Sequence, residues 1–255
     1  MTIMAKGGQH FLVDRRVLAR VVEVADLNPG DVVLEIGAGT GNLTEVLSEY
    51  AGRVIAIEKD LSLVRELNNR VVSENVDVIH ADALKIDFPP FNKVVSNLPY
   101  QISSPVTFKL FNYEFDLAVL MYQDEFARRI VAESGRKEYG RLTVMAQYFA
   151  ETKLLFKVPR GAFKPQPAVS SAVVRLEMRK RPRGAIDEEF FSRVVRAAFA
   201  HRRKKLKNTL LANLPVEREE LEKLSPELLD VRAENLTLAE FIELANTLYK
   251  KHTMV

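Results

Sequence analysis

Asn97-Leu98-Pro99-Tyr100 is a tetrapeptide suited to holding a flat heteroaromatic amine. An exocyclic base amine is a poor nucleophile because its lone pair is delocalised into the ring. It reacts when it is held with that lone pair aimed at an electrophilic carbon, and acceptors aimed at its two N–H groups do the holding. The Asn97 side-chain oxygen is one acceptor, and the Leu98 backbone carbonyl can be the second. Pro99 has a fixed φ near about −65° and pushes Leu98 toward an extended conformation that presents that carbonyl. Tyr100 offers a face for the base, worth roughly 1–3 kcal/mol by stacking. A plain strand-to-helix turn would use the same residue types, so the tetrapeptide gains its meaning from what precedes it.

What precedes it is a glycine loop and two carboxylates. Glu35-Ile36-Gly37-Ala38-Gly39-Thr40-Gly41-Asn42 ends an apolar run, and alternate glycines let a backbone turn tightly against a ligand. A dinucleotide fingerprint begun at Gly37 would need glycine at Asn42, and one begun at Gly39 would need it at Thr44, so the pyrophosphate form of the motif is broken. Glu58 follows Glu35 by 23 residues at the tip of a second apolar run, where an acid can accept from both ribose hydroxyls. Asp82 follows a third run and can accept from an adenine amine. Strand-end acids also serve as helix caps, but two of them behind a glycine loop describe a nucleoside pocket that needs no diphosphate. S-adenosylmethionine has that shape. Its sulfonium makes a metal and a covalent nucleophile unnecessary, so alignment and desolvation would carry the reaction. The expected cofactor contacts include Glu35, Gly37, Gly39, Glu58, Lys59, Asp82, Ala83 and Asn97.

The elements that must position these residues alternate between short β-rich apolar runs and helical patterns. Val32–Ile36, Arg53–Glu58, Val76–His80, Lys93–Asn97 and Phe115–Tyr122 read as strands, with helices over Leu43–Tyr50 and Leu61–Ser73. Strands spaced by helices imply crossovers and a mostly parallel sheet. Thr152–Val158 and Ser171–Met178 add two strands, adjacent at one sheet edge, with prolines between them. Asp87–Phe91 reads as a loop packing its aromatics under a sheet edge. Glu133–Arg141 reads equally as a surface loop or an RNA contact. Arg179–Gly184 is the candidate linker. Beyond it Asp187–Ala200, Arg202–Leu214, Glu217–Leu224 and Leu238–Lys250 read as helices, with Asp187 and Thr237 as N-caps. The expected division is therefore an α/β domain over 1–180 and a helical domain over 181–255.

Composition excludes several classes. The 255 residues contain no Cys and only four His, at scattered positions, so disulfides, thiol nucleophiles and a metal site are not expected. No apolar run reaches the ~20 residues of a membrane span. The N-terminus lacks an apolar secretory core, so a cytoplasmic, soluble chain without a membrane partner is expected, as a monomer. The net charge is +3, yet Arg175–Asn208 holds twelve cations against four acids. Within it Arg202, Arg203, Lys204, Lys205 and Lys207 have no acid among them. Such a run reads either as a solvated helix face or as a contact for a polyanion.

Taken together, these residues resemble the dimethyladenosine transferases of small-subunit ribosomal RNA, over nearly the whole chain. Gly8-Gln9-His10-Phe11-Leu12 resembles that family's N-terminal motif, Glu35–Gly41 its cofactor loop, Asn97–Tyr100 its catalytic tetrad, and Phe163-Lys164-Pro165-Gln166-Pro167-Ala168-Val169-Ser170 its substrate-side loop. His10 departs from the more usual asparagine. The resemblance implies a class I S-adenosylmethionine-dependent methyltransferase fold, Rossmann-like with a seven-stranded mostly parallel sheet, plus a small all-helical C-terminal domain that grips rRNA. It implies two methyl transfers to adenine N6 on each of two adjacent adenosines near the 3′ end of small-subunit (16S) rRNA during ribosome assembly. It places Gln9, His10 and Leu12 at the cofactor and has Phe163 sandwich the target base against Tyr100. Three rivals stay open: a methylase of large-subunit rRNA, a nicotinamide-dependent oxidoreductase, and a non-catalytic assembly factor on the same fold.

Overall fold

The computed structural model describes residues 9–252 apart from Pro182, Lys223 and Ser225. In chain order the strands are β1 (Phe11–Leu12), β2 (Val32–Ile36), β3 (Arg53–Glu58), β4 (Val76–His80), β5 (Lys93–Asn97), β6 (Leu117–Gln123), β7 (Ala150–Val158), β8 (Phe163–Lys164) and β9 (Ser171–Met178). The helices are α1 (Arg15–Val24), α2 (Asn42–Tyr50), α3 (Leu61–Arg70), α4 (Ser103–Leu110), α5 (Asp124–Ile130), α6 (Arg141–Phe149), α7 (Glu188–Ala198), α8 (Leu206–Asn213), α9 (Arg218–Glu222), α10 (Pro226–Asp230) and α11 (Leu238–His252). Seven strands form one sheet in the order β4-β3-β2-β5-β6-β9-β7, and β1 pairs with β8 in a separate ribbon.

The first five strands of the sheet run parallel, while β9 is antiparallel to β6. Strands covered on both faces need apolar residues at consecutive positions. β2, β3 and β6 accordingly bury nearly every side chain, which is why short continuous apolar runs marked them in the sequence. The strand order reverses direction between β2 and β5, the position where open α/β sheets bind ligands. The ladder there is short: Val33 pairs with Lys93 and Leu34 with Val94. The neighbouring β2–β3 and β5–β6 ladders each run for five residues. Beyond Leu34 the two strands part, and Ser96 spans the gap with an Oγ–H···O bond of 2.6 Å to the Ile36 carbonyl. A crevice therefore opens at the carboxyl ends of β2 and β5.

The chain forms two compact units. One contains the described residues up to Ala127 together with Thr152–Met178. The other contains Arg128–Glu151 and the chain from Arg179 onward. This division differs from a single boundary at 180, because Arg128–Glu151 groups with the later helices. Within that helical unit, α6 buries Tyr148, which stacks on Phe191 of α7 at 4.2 Å between ring centroids. Thr143 donates to the Arg129 carbonyl. The candidate linker is built into the same unit rather than left free. Arg179 donates to the Gln147 carbonyl and Arg183 pairs with Glu188, its side chain only 5% exposed. Asp187 caps α7 by accepting from Phe190, and Thr237 and Glu240 form a reciprocal cap at the start of α11.

The basic run departs from the helix expected over Arg202–Leu214. His201–Lys204 form a turn, Lys205 is the extended N-cap residue, and α8 begins at Leu206. Acids distant in sequence neutralise much of the run. Arg202 pairs with Glu234 and donates to the carbonyls of Lys137 and Tyr139, while Lys205 and Lys207 share Asp230. Arg203 and Lys204 are exposed and form no ion pair with a described residue. No helix among the described residues is long and apolar enough to cross a membrane.

Candidate active site

The crevice widens into a cavity of about 740 Å³. The N-terminal segment, the glycine loop, the tip of β3, the loop after β4 and the turn after β5 all contribute to its wall. Gln9, His10, Leu12, Glu35, Gly37, Gly39, Glu58, Lys59, Asp82, Ala83 and Asn97 line it, as do Leu98, Pro99 and Tyr100. Gly8 lies outside the described residues.

The glycine loop is shaped by left-handed backbone at Gly37 (φ 76°), Gly39 (φ 59°) and Gly41 (φ 82°). At Gly37 the reason is also steric. A Cβ there would sit 2.6 Å from Cγ of Pro99, so only glycine lets the loop touch the Asn-Leu-Pro-Tyr turn. Asn42, the residue that breaks the dinucleotide fingerprint, donates from Nδ2 to the Leu12 carbonyl at 2.7 Å and so ties the N-terminal segment to the loop.

Three acids stand around the cavity in different environments. Glu58 accepts from the backbone N–H groups of Gly39, Lys59 and Asp60 at 2.8–2.9 Å, which fixes it between the loop and α3. Asp82 accepts from Leu84 N–H and from Lys59 Nζ, and the lysine beside it holds its carboxyl below the usual range. Glu35 is buried under the loop, where it accepts a 2.6 Å bond from the Thr44 hydroxyl. Burial pushes it up to about 8, with the Glu58 charge adding to the rise. Lys109 braces the loop after Asp82 by donating to the carbonyls of Ala83 and Ile86, with Phe88 beneath its ammonium. Phe88 and Phe91 pack on Tyr113, as expected for that loop.

Asn97 is the most informative side chain. Its Nδ2 faces the His10 carbonyl at 3.5 Å, which assigns its two amide ends. Its Oδ1 is buried and has no hydrogen-bond partner. Buried acceptors are almost always satisfied, so an unpartnered one in a cavity wall marks a place for a donor group. Tyr100 follows on a 3₁₀ turn and joins its hydroxyl to that of Ser171 at 2.7 Å. His10 lies beside it, ring centroids 5.8 Å apart. Because a carbonyl can only accept, His10 Nδ1 carries the hydrogen of its 2.9 Å bond to Pro165 O.

Phe163 does not join this group. It is 1% exposed, pairs with Leu12 across the β1–β8 ribbon and packs into the hydrophobic core. The ribbon's alternation turns its ring inward while Lys164 is exposed. In this structure the aromatic ring beside Tyr100 is the His10 imidazole. Ser171 carries no local signal in the sequence, and Asn42 shows there only as a broken motif. Among the described residues no cluster of three or more His, Asp or Glu is placed to hold a metal.

These residues fit a nucleoside-sulfonium cofactor: a glycine loop in left-handed backbone along the wall, two carboxylates at the ends of β3 and β4, and an orphaned buried acceptor at Asn97. A family model described as ribosomal RNA adenine dimethylase matches residues 2–250. A Methanosarcina acetivorans protein named "Probable ribosomal RNA small subunit methyltransferase A" is 52% identical over 253 residues, covering 96% of this chain and 94% of that one. A dimethyladenosine transferase from Plasmodium falciparum superposes with a TM-score of 0.82 at 30% identity, over 96% of this chain and 98% of that one. The 23S rRNA methyltransferase ErmE superposes with a TM-score of 0.70 at 32% identity, over 91% and 98%. The chain thus belongs to the ribosomal RNA adenine dimethylase family, with a class I S-adenosylmethionine-dependent methyltransferase fold.

Proposed function

We propose that this enzyme transfers methyl groups from S-adenosylmethionine to N6 of two adjacent adenosines near the 3′ end of small-subunit rRNA, two to each base, during cytoplasmic ribosome assembly. The observation that carries the reading is the unpartnered Asn97 Oδ1 in the wall of a nucleoside-shaped cavity. When bound, the cofactor supplies an electrophilic methyl carbon on a sulfonium.

Every other part of the work falls to the chain. Glu58 holds ribose hydroxyls, and Asp82 accepts from the cofactor's adenine amine, with Lys59 yielding its place on Asp82. Gln9, His10, Leu12, Glu35, Gly37, Gly39 and Ala83 complete that wall. In the first transfer Asn97 Oδ1 and the Leu98 carbonyl accept the two N–H bonds of the target amine and turn its lone pair toward the carbon; in the second, one N–H remains for them to hold. Pro99 fixes the turn against Gly37, and Tyr100 stacks on the base. The rate gain comes from orientation and from excluding water.

The relative at 52% identity, named for the small subunit, supports that substrate over the large one. The protein acts as a monomer, and its helical unit contributes a basic RNA contact centred on Arg203 and Lys204. Lys205 and Lys207 add less because Asp230 offsets them, and Arg202 is spent on internal bonds. Incubation with undermethylated small and large subunits and methyl-tritiated donor, followed by nucleoside analysis, tests this. Label in dimethyladenosine from the small subunit is expected, and label confined to the large subunit would overturn the choice of RNA.

A further inference from the structure

We infer that Ser171 is a positioning residue for the methyl transfer, acting through Tyr100. The proposal rests on the reading of Tyr100 as the ring that stacks on the target base. Tyr100 stands on a short 3₁₀ turn, which by itself does not fix the direction of its ring. Its hydroxyl reaches 2.7 Å to the Ser171 hydroxyl, 71 residues away in sequence. Ser171 is 0% exposed and belongs to a different, stiffer element. It opens β9, pairs with Gln123 of β6 in an antiparallel ladder seven residues long, and is preceded by Ser170, whose carbonyl accepts from Asp124 N–H. The ring is thus pinned at its phenolic end by the antiparallel part of the sheet, while Asn97 and the cofactor wall belong to the parallel part.

The consequence is geometric. The acceptors that hold the target amine come from β5, and the ring that holds the base plane is set by β9. The Ser171–Tyr100 bond keeps the two in one frame, so the base meets a ring already in place. A buried serine hydroxyl also needs its partner. The pair is therefore asymmetric: Tyr100→Phe strands the hydroxyl of a fully buried residue, whereas Ser171→Ala strands that of a residue only partly buried.

The test uses the full-length protein, small subunits and methyl-tritiated donor. Ser171→Ala should lower kcat roughly threefold to tenfold, the effect of one lost hydrogen bond, with donor Kd and melting temperature close to wild type. Tyr100→Phe should lower kcat by at least as much. The double variant should be no slower than Tyr100→Phe alone, because both changes remove the same bond. Ser171→Thr restores a hydroxyl and should recover most of the rate where its melting temperature shows that it folds. Wild-type kcat in Ser171→Ala, or independent multiplying effects in the double variant, would overturn the assignment. Failure of the wild-type protein to methylate either subunit would instead overturn the functional reading and is recognised separately by that control.

Discussion

The cofactor cavity and the basic turn between α7 and α8 both stand out in the sequence as dense clusters of one chemistry, yet they translate into structure in different ways. At the cavity the polar groups line the wall in the positions their motifs imply. Glu58 is anchored by three backbone N–H groups and still lines the wall, and Asn97 Oδ1 has no partner at all. At the turn three of the five cations are paired inside the helical unit with Glu234 and Asp230, acids that lie 23 to 32 residues further along the chain. A motif on a glycine loop constrains where its side chains go, because backbone conformation is part of the motif. A run of cations constrains only composition, and the fold decides which of them face solvent.

The largest effect that sharpens this contrast is expected at Asn97. Asn97→Ala removes the acceptor that orients the amine and should reduce methyl transfer at least roughly a hundredfold, the scale seen when one preorganised polar group is deleted. RNA binding should hardly change in a filter assay. Gly37→Ala comes next. It forces left-handed backbone on a side chain and drives a Cβ into Pro99, so it should cost about 1–3 kcal/mol of stability and displace the catalytic turn. A denaturant titration alongside a single-turnover assay reads both.

At the basic turn, replacing Arg203 and Lys204 together by Ala should weaken RNA binding and reduce the slope of log K against log salt by about 0.7 per lost phosphate contact. Arg202→Ala should lower the melting temperature by a few degrees instead, with a nearly unchanged slope, since it breaks bonds to Glu234 and two backbone carbonyls. Equal salt slopes for the two variants would erase the distinction drawn between them.

The smallest effect concerns Glu35. Folded, it keeps its proton up to about 8, whereas an unfolded glutamate loses it near 4.5. Across that window the unfolded state binds fewer protons, so this group's contribution is full below about 4.5 and is lost as pH rises toward 8. Glu35→Gln keeps a neutral partner for Thr44 and should flatten that decline in a pH series of denaturant titrations. A cationic cofactor nearby favours ionised Glu35, so binding at neutral pH should release a fraction of a proton, measurable by calorimetry in buffers of differing ionisation enthalpy.

Much of the α/β unit is legible because its central strands, β2, β3 and β6, are buried on both faces and appear as apolar runs, while half-exposed β4 shows as a short β-branched stretch between helical patterns. β2, β3, β4, β5 and β9 fall on the ranges read from sequence. α1, although capped by Asp14, and α6, whose end carries no turn signal, are not legible in the sequence. The cavity wall was legible wherever a motif carried its own backbone geometry. It was not legible where the partner comes from far along the chain: Ser171 behind Tyr100, Asn42 on Leu12, Glu234 on Arg202. Phe163 shows the converse: the family resemblance implies a base-facing ring, whereas in this structure pairing with Leu12 turns it into the core.

The decisive measurement is a crystal structure with S-adenosylmethionine bound. It should show the ribose hydroxyls on Glu58, the adenine amine on Asp82 in place of Lys59, and the methyl carbon beside Asn97 Oδ1. A cofactor seated elsewhere, or an Asn97 whose oxygen is turned into the protein interior away from the methyl carbon, would contradict the proposed function.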